Sequence, residues 1–181
     1  MNLLVKNEYL KVVEKLQLEE TAEVLLVSIK NQVMYHQKLG KAVKTYVIST
    51  SLKPPSCKEN SLGTPWGLHL VSEVIGSGQP SGMVFKARQP TGQCYWDCSE
   101  ELQKQNLITS RILRLVGLEV GINSGKGVDT FGRYVYLHGT NKEGNLGSPA
   151  SSGCIQVSNV HAIELADRIP LGTHLFISLN A

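Results

Sequence analysis

The sequence of 181 residues lacks a long apolar run. A membrane-spanning helix needs about 20 consecutive apolar residues, and a secretory leader needs an apolar core close to the N-terminus. The N-terminal stretch MNLLVKNEYLKVVEKLQLEE is instead interrupted by charged residues along its whole length. We therefore expect no membrane span and a cytoplasmic location, with a periplasmic location as the alternative if the true start lies upstream.

The sequence also lacks a cluster of basic side chains. Its 18 Lys and Arg and 15 Asp and Glu residues are spread along the chain and give a net charge of +3. Because nucleic-acid-binding domains concentrate Lys and Arg on one face, we expect no nucleic-acid partner. No linker-like tract and no internal repeat divides the chain, so its length predicts one compact unit and leaves the oligomeric state open.

Cysteine is scarce, with four residues at positions 57, 94, 98 and 154. In a reducing compartment these are expected to be free thiols rather than disulfides. Cys94 and Cys98 are close in sequence, but no second Cys/His pair follows at a spacing typical of zinc sites. We expect no metal and no cofactor, and a zinc site at this pair is the less favoured alternative.

Most of the chain has the composition and alternation of β-strands. The runs EVLLVSIK, QVMYHQ and AVKTYVIST follow one another closely and predict consecutive antiparallel strands. The runs LHLVSEVIG, RYVYLHG, IQV and THLFISL predict further strands, whereas KPPSCKENSLGTPWG, with its prolines and glycines, predicts a loop. The predicted fold class is therefore mainly β with a few helices (α+β).

An amphipathic helix is predicted over residues 7–20, where the apolar side chains share one face: Leu10, Val13 and Leu16. We expect this helix to form an N-terminal extension, residues 1–22, that packs on a catalytic domain formed by residues 23–181. Two more helices are predicted, one near residues 99–106 and one that begins after Ser158 and ends at Pro170.

A histidine and a cysteine occur together in the glycine-rich stretch LHGTNKEGNLGSPASSGCIQVSN, residues 137–159. Strand alternation places Val135 and Leu137 on one face and His138 on the other. The same alternation places Cys154 and the following isoleucine on opposite faces of their strand. If the aliphatic residues mark the core, then His138 and Cys154 both lie on faces that do not point into it.

Such a pair has a chemical use. A thiol with a pKa of about 8.5 is mostly protonated at neutral pH, and an imidazole beside it can remove that proton and later protonate a leaving amine. Gly153 would let its own N–H and that of Cys154 point at a developing oxyanion. A histidine and a cysteine at this spacing are more often two ordinary residues of a small core. The surrounding sequence pattern must therefore distinguish a catalytic pair from core residues.

The surrounding pattern, HGT followed after ten residues by S-x-G-C-I-x-V, resembles the signature of the L,D-transpeptidase (YkuD-domain) family. That signature is HGT followed by S-H-G-C-I-R and a hydrophobic residue. The resemblance extends to VLLVSIKNQVMYHQKLGKAVKTYVIST, LGTPWGLHLV and LADRIPLGTHLFI, and so covers residues 23–179. The motif positions that match are His138, Gly139, Thr140, Ser151, Gly153, Cys154, Ile155 and Val157.

The resemblance implies a YkuD-like β-sandwich or partly closed barrel with a helix after the catalytic motif. It implies that Cys154 attacks the bond between the L-centre of meso-diaminopimelate and D-Ala in a peptidoglycan stem peptide, with His138 as general base and acid. The backbone N–H groups of Ser152, Gly153 and Cys154 would form the oxyanion hole. Water would then yield a trimmed peptide, and an amine would yield a cross-link or an exchanged D-amino acid.

Two positions depart from the family pattern, since Ser152 replaces the usual histidine and Gln156 the usual arginine. Ser152 is tolerable if the histidine contributes only its backbone N–H. Gln156 replaces a fixed charge with a neutral amide, which implies an altered carboxylate site or a loop held by different contacts. A catalytically inactive relative is the alternative.

Other residues near the motif are candidates for secondary roles. We expect four of them to support the motif or bind substrate: Gly139, Thr140, Ser151 and Gln156. Three that precede the histidine could line a cleft, or could equally be strand surface residues: Arg133, Tyr134 and Tyr136.

The expected cytoplasmic location, combined with the resemblance, favours hydrolysis. The predicted function is an L,D-carboxypeptidase of murein recycling that removes D-Ala from recycled muropeptides. The alternatives are an L,D-transpeptidase and a non-enzymatic module that binds muropeptides.

Overall fold

A ten-stranded β-sheet organises residues 3–180, which are the residues described by the computed structural model. Its strands are β1 (Glu23–Ser28), β2 (Val33–Lys38), β3 (Lys41–Val47), β4 (Gly67–Ile75), β5 (Met83–Lys86), β6 (Gln89–Cys94), β7 (Ile108–Gly117), β8 (Tyr136–Thr140), β9 (Ile155–Val157) and β10 (His174–Ser178). The α-helices are α1 (Leu3–Lys15), α2 (Glu100–Lys104) and α3 (Asn159–Arg168). The predicted α+β class is confirmed.

The strands follow the spatial order β3-β2-β1-β10-β4-β7-β5-β6, and β8 pairs with both β7 and β9. The first three strands are antiparallel neighbours, as predicted from their sequence. Beyond β3, an isolated bridge joins Ser49 to Gln156 in β9. This bridge brings the two ends of the sheet together without closing it into a barrel.

The strands β5, β6 and β7 are not indicated by the sequence pattern. The largest of these omissions is β7, because it pairs with β4, β5 and β8 and so connects the motif strand to the rest of the sheet. Register shifts interrupt its pairing with β4 and again with β8. A strand with such irregularities loses the simple alternation by which strands are found in a sequence.

The N-terminal helix begins and ends earlier than predicted. The predicted apolar side chains, Leu10, Val13 and Leu16, all pack on the cluster beneath it, although only Val13 is fully buried. Its buried side chains are Val5, Tyr9 and Val13, spaced by four as on one face of a helix. The Tyr9 hydroxyl forms a hydrogen bond with His174 Nδ1 at 3.0 Å. The helix packs on the sheet as expected. The division into residues 1–22 and 23–181 stays a prediction, and residues 1–2 lie outside the described part.

The other two helices begin where the sequence indicates. The hydroxyl of Ser99 accepts a hydrogen bond from the Leu102 N–H, and that of Ser158 accepts one from the His161 N–H. These are N-cap interactions, and they start α2 and α3. The helix α3 packs against β7 and β8, so it supports the strand that carries the motif histidine.

The strands β8 and β9 separate two hydrophobic clusters. Val135, Leu137 and Ile155 belong to the main core, as strand alternation predicts. Tyr136 belongs to a second cluster, against which Cys154 packs. The second face is therefore covered as well, which corrects the expectation that it lies outside any core.

No helix within residues 3–180 combines the length and the apolar character that crossing a membrane requires.

Candidate active site

Cys154 stands directly before β9, at the floor of a cleft of about 240 Å³. Its Sγ accepts a hydrogen bond from the Tyr136 N–H at 3.3 Å, and the thiol donates to the Tyr134 carbonyl at 3.7 Å. Burial raises the pKa of the Cys154 thiol to about 11, although the Tyr136 N–H and the charge of Arg133 act in the opposite direction. The resting cysteine is therefore a thiol at neutral pH.

His138 lies in β8, on the same sheet face as Cys154. The register pairs Leu137 with Ile155 and His138 with Gln156, so His138 and Cys154 are diagonal neighbours on adjacent parallel strands. The structure shows no direct hydrogen bond between these two side chains within residues 3–180. A proton transfer between them therefore requires a closer approach when substrate is bound.

The hydrogen bonding of His138 fixes which nitrogen can act as a base. Its Nδ1 lies 2.7 Å from the Gly139 carbonyl, which can only accept, so Nδ1 carries the proton. The Nε2 atom makes no hydrogen bond in the described part of the chain and keeps a free lone pair. His138 is only 3% exposed, and this burial lowers its pKa to about 4. It is therefore a neutral base at pH 7.

The turn that presents the cysteine is held by Ser151. The Ser151 hydroxyl donates to the Cys154 carbonyl at 2.6 Å and accepts from the Gly153 N–H at 3.2 Å. Gly153 has φ +126°, a conformation that favours glycine. The prediction that the Gly153 N–H serves the oxyanion hole is corrected by this hydrogen bond, because the N–H is directed at Ser151. The N–H groups of Ser152 and Cys154 remain the candidates.

Gly139 and Thr140 act on the strand rather than in the cleft. A Cβ atom at Gly139 would lie 2.6 Å from the Thr109 carbonyl oxygen, so only glycine fits between β7 and β8 at this position. The Thr140 carbonyl accepts a hydrogen bond from the Asn159 amide at 2.9 Å. Both residues hold β8 against its neighbours, and neither lines the cleft.

Gln156 is also outside the cleft lining. Its side chain is buried, with the residue 2% exposed, and its Nε2 donates to Asn106 Oδ1 at 2.6 Å. Its Oε1 has no hydrogen-bond partner among the described residues. Of the two consequences expected from the replacement of arginine, the structure supports a loop held by different contacts and not a carboxylate site at Gln156.

The three candidate cleft residues have different positions. Arg133 and Tyr134 line the cleft, and Tyr134 is 55% exposed with φ +57°. Tyr136 is buried, and its hydroxyl accepts a hydrogen bond from Arg88 at 3.2 Å. Tyr136 therefore contacts the cysteine through its backbone N–H instead of lining the cleft with its ring.

One wall of the cleft was missed from the sequence. It is formed by Glu59, Asn60 and Leu62, within the segment predicted only as a loop. Asn60 and Leu62 have positive φ angles of 61° and 58°. No sequence signal places this loop opposite Cys154, since its position depends on hydrogen bonds from Arg133, more than seventy residues away.

The remaining cysteines show no second site. All four are free thiols, and Cys98 donates a hydrogen bond to the Cys94 carbonyl at 3.5 Å. Within residues 3–180, no group of three or more His, Cys, Asp or Glu side chains is placed to hold a metal ion.

Cys154 lines a small cleft, whereas His138 is buried on the same sheet face and lies outside the cleft lining. A thiol and a neutral imidazole that share one face of adjacent strands are suited to nucleophilic acyl transfer. The sequence family described as the L,D-transpeptidase catalytic domain (YkuD) matches residues 22–177. The chain belongs to this family.

Individual relatives agree with this assignment. YqjB of Bacillus subtilis strain 168, which its name assigns to the L,D-transpeptidases, is 42% identical over 53 residues, or 29% of each chain. L,D-transpeptidase 3 of Mycobacterium tuberculosis, solved with a faropenem-derived adduct, has a TM-score of 0.53 and 14% identity, covering 87% of this chain and 60% of its own. An Enterococcus faecium L,D-transpeptidase has a TM-score of 0.52 and 15% identity, covering 88% and 50%. These structures share the fold, and this chain spans 60% or less of their length.

Proposed function

We propose that the chain is a cysteine acyl-transfer enzyme that cleaves the bond between the L-centre of meso-diaminopimelate and D-Ala in peptidoglycan stem peptides. The observation that carries the proposal is the placement of Cys154 and His138 on one sheet face, with the His138 Nε2 lone pair unused. Membership of the family supports the choice of substrate.

In the proposed reaction the thiol proton of Cys154 passes to His138 Nε2 in the same step as the attack of the sulfur, because pKa values of about 11 and about 4 disfavour a separate thiolate–imidazolium pair. The sulfur attacks the diaminopimelyl carbonyl carbon, and the Ser152 and Cys154 N–H groups stabilise the oxyanion. The intermediate then collapses to a thioester as the C–N bond breaks. The proton on His138 passes to the amine of D-Ala, which leaves.

The second half-reaction is proposed to be hydrolysis. His138 accepts a proton from water, the hydroxide adds to the thioester, and the tripeptide leaves as the proton returns to Cys154. Hydrolysis needs only one stem peptide in the cleft of about 240 Å³ that Cys154 lines. Recycled muropeptides in the cytoplasm are the proposed substrate pool of such an L,D-carboxypeptidase.

Transfer to an amine is the second candidate. It is supported by the names of the solved relatives, which are L,D-transpeptidases. The amine of a second stem peptide would give a cross-linked dimer, and a free D-amino acid would give an exchanged tetrapeptide.

Mass spectrometry of the products tests both half-reactions, acylation of Cys154 and transfer of the acyl group. We expect a diaminopimelate tetrapeptide to lose one D-Ala, and we expect no loss with Cys154→Ala. If the product is instead a cross-linked peptide dimer, the second half-reaction is transpeptidation and not hydrolysis. Retained binding without any change of mass in the native chain would contradict acyl transfer and indicate a muropeptide-binding module.

A second test does not depend on turnover. Because the M. tuberculosis relative was solved with a faropenem-derived adduct, we expect faropenem to acylate Cys154 here. Intact mass should increase for the native chain and stay unchanged for Cys154→Ala. Peptide mapping that placed the adduct on Cys57, Cys94 or Cys98 would contradict the assignment of the nucleophile.

A further inference from the structure

Arg133 stands where the cleft meets a second groove. The cleft beside Cys154 continues into a groove of about 450 Å³, and Glu59, Gly132 and Arg133 line both. The groove is lined further by Ser124, Gly125, Lys126, Gly127 and Asp129. The junction therefore carries one basic and one acidic side chain close to the candidate nucleophile. Both are available to a ligand that extends from the cleft into the groove.

The charge of Arg133 is not neutralised by the protein. Its guanidinium donates to the Ser56 carbonyl at 3.0 Å, the Gly63 carbonyl at 2.7 Å and the Ser61 hydroxyl at 3.3 Å, all of which are uncharged groups. It forms no ion pair within residues 3–180. Since arginine has five N–H donors, the Nε–H and one Nη1–H remain for a ligand.

Glu59 is the complementary group. Its side chain is exposed and forms no ion pair in the described part of the chain. Burial lowers the pKa of Arg133, and the negative charge of Glu59 is close enough to act in the opposite direction. The two residues do not make a salt bridge with each other. An unpaired cation and an unpaired anion at one junction are suited to a ligand that carries both charges.

We propose that Arg133 and Glu59 bind the zwitterionic head of diaminopimelate, that is, the free carboxylate and ammonium at its D-centre. The inference rests on the proposed function, which places the L-centre carbonyl at Cys154. A short methylene chain joins that centre to the D-centre, so the head must lie next to the cysteine. Arg133 would receive the carboxylate, and Glu59 the ammonium.

Other residues near the site are less suited to this role. Lys126 lines the groove but not the cleft that holds Cys154. Gln156, at the position of the family arginine, is buried, uncharged and outside the cleft lining. Arg88 donates to the Tyr136 hydroxyl and stacks on the Tyr134 ring, and it does not line the cleft. Arg133 is the one basic residue in the described cleft lining.

Binding to the Cys154→Ala variant tests the proposal without turnover. Calorimetry would compare three tetrapeptides: one with free diaminopimelate, one with its D-centre carboxylate amidated, and one with lysine in its place. A charge-assisted hydrogen bond contributes about 1.5–3 kcal/mol, so the free head should bind roughly tenfold or more tightly than the amidated head. Equal affinities for these two peptides would overturn the proposal.

Further substitutions in the Cys154→Ala background test which residue binds each charge of the head. Arg133→Gln should lower affinity for the free head to that for the amidated head, while Arg133→Lys should keep part of the preference. Glu59→Gln should weaken both diaminopimelate peptides, but not one whose D-centre amine is acetylated. Arg168→Gln is the matched control, because it removes the charge of an exposed arginine at the end of α3. It should leave the affinity for each peptide unchanged.

The outcomes separate this inference from the proposed function. Equal weakening of the free and amidated peptides by both Arg133 variants would overturn it, since Arg133 would then only hold the loop or bind the D-Ala carboxylate. Cleavage by the native chain without selectivity for the head would overturn the inference alone. Head-selective binding without any cleavage would support the binding site and overturn acyl transfer.

Discussion

The two faces of the β8–β9 pair are both buried, but different interactions hold them. On the main-core side, Val135, Leu137 and Ile155 are aliphatic and contribute through the area they remove from water. On the cleft side, His138 and Cys154 are polar, and their hydrogen bonds to backbone groups are directional. Alternation along this pair of strands therefore puts aliphatic packing on one face and the proposed catalytic pair on the other.

Burial also has a different effect on each face. For the aliphatic side chains it is favourable in itself, whereas for the two polar groups it selects the uncharged form and shifts each pKa. The pKa of His138 falls to about 4 and that of Cys154 rises to about 11. Substitutions on the two faces should consequently alter different properties.

The largest expected effect is that of Cys154→Ala. Removal of the only sulfur in the cleft lining should reduce both D-Ala release and acylation by faropenem to background. The temperature of unfolding should stay close to that of the native chain, because few contacts are lost at a half-buried position. Residual turnover above that of the peptide alone, measured by mass spectrometry, would contradict the proposed nucleophile.

His138→Gln should reduce the rate of acylation by about 10²- to 10⁴-fold, since a positioned general base contributes on that scale. Stopped-flow or time-resolved mass measurements would give the rate. An unchanged rate would show that another group accepts the proton of Cys154.

Ile155→Ala tests the opposite face of β9. Truncation of this fully buried side chain should lower the free energy of unfolding by about 2–5 kcal/mol, as measured by denaturant titration. The folded fraction should still be acylated at Cys154. Loss of acylation in a protein that remains folded would show that the two faces are not independent.

Acid should destabilise the folded chain in part through His138. The pKa of His138 is about 4 in the folded chain against 6.5 as its ordinary value, so the unfolded chain binds more protons between these pH values. Stability should fall as the pH decreases from 6.5 to 4, by at most about 3 kcal/mol from this group. Buried His69, whose pKa is also about 4, adds to the loss.

Denaturant titrations at pH 7, 5 and 4 would measure this dependence. His138→Gln should make the dependence shallower, while Ile155→Ala should lower stability by a similar amount at each pH. An equally steep dependence in His138→Gln would contradict the assignment to His138.

The smallest expected effect is that of Gln156→Met. The substitution removes a buried oxygen that lacks a partner, and it releases the partly solvated Asn106, so the change in unfolding free energy should be below about 1 kcal/mol. The affinity of the Cys154→Ala background for the diaminopimelate tetrapeptide should be unchanged. A clear loss of affinity would place Gln156 in substrate binding after all.

Local features made part of the structure predictable. The alternation of Val135 and Leu137 against His138 indicates the two faces of β8, and the hydroxyl of Ser158 marks the start of α3. Both signals depend on neighbours in sequence. The family motif adds the pairing of His138 with Cys154, whose chemical roles remain proposals.

The missed features depend on contacts between distant parts of the chain. The direction of the Gly153 N–H follows from the Ser151 hydroxyl, which could equally have turned elsewhere. The cleft wall near Asn60 is placed by Arg133, and the burial of Gln156 follows from the position of Asn106. No periodicity in the sequence reports such long-range hydrogen bonds.

The bridge between Ser49 and Gln156 limits how a peptide can approach the cysteine. Ser49 and Gln156 exchange backbone hydrogen bonds of 2.9 and 2.8 Å on one side of β9, and β8 pairs with it on the other. Within residues 3–180, Gln156 is thus paired on both sides, so a ligand cannot add a strand to β9 at this residue. Inhibitors are therefore expected to reach Cys154 through the cleft beside Ser152, without pairing along β9.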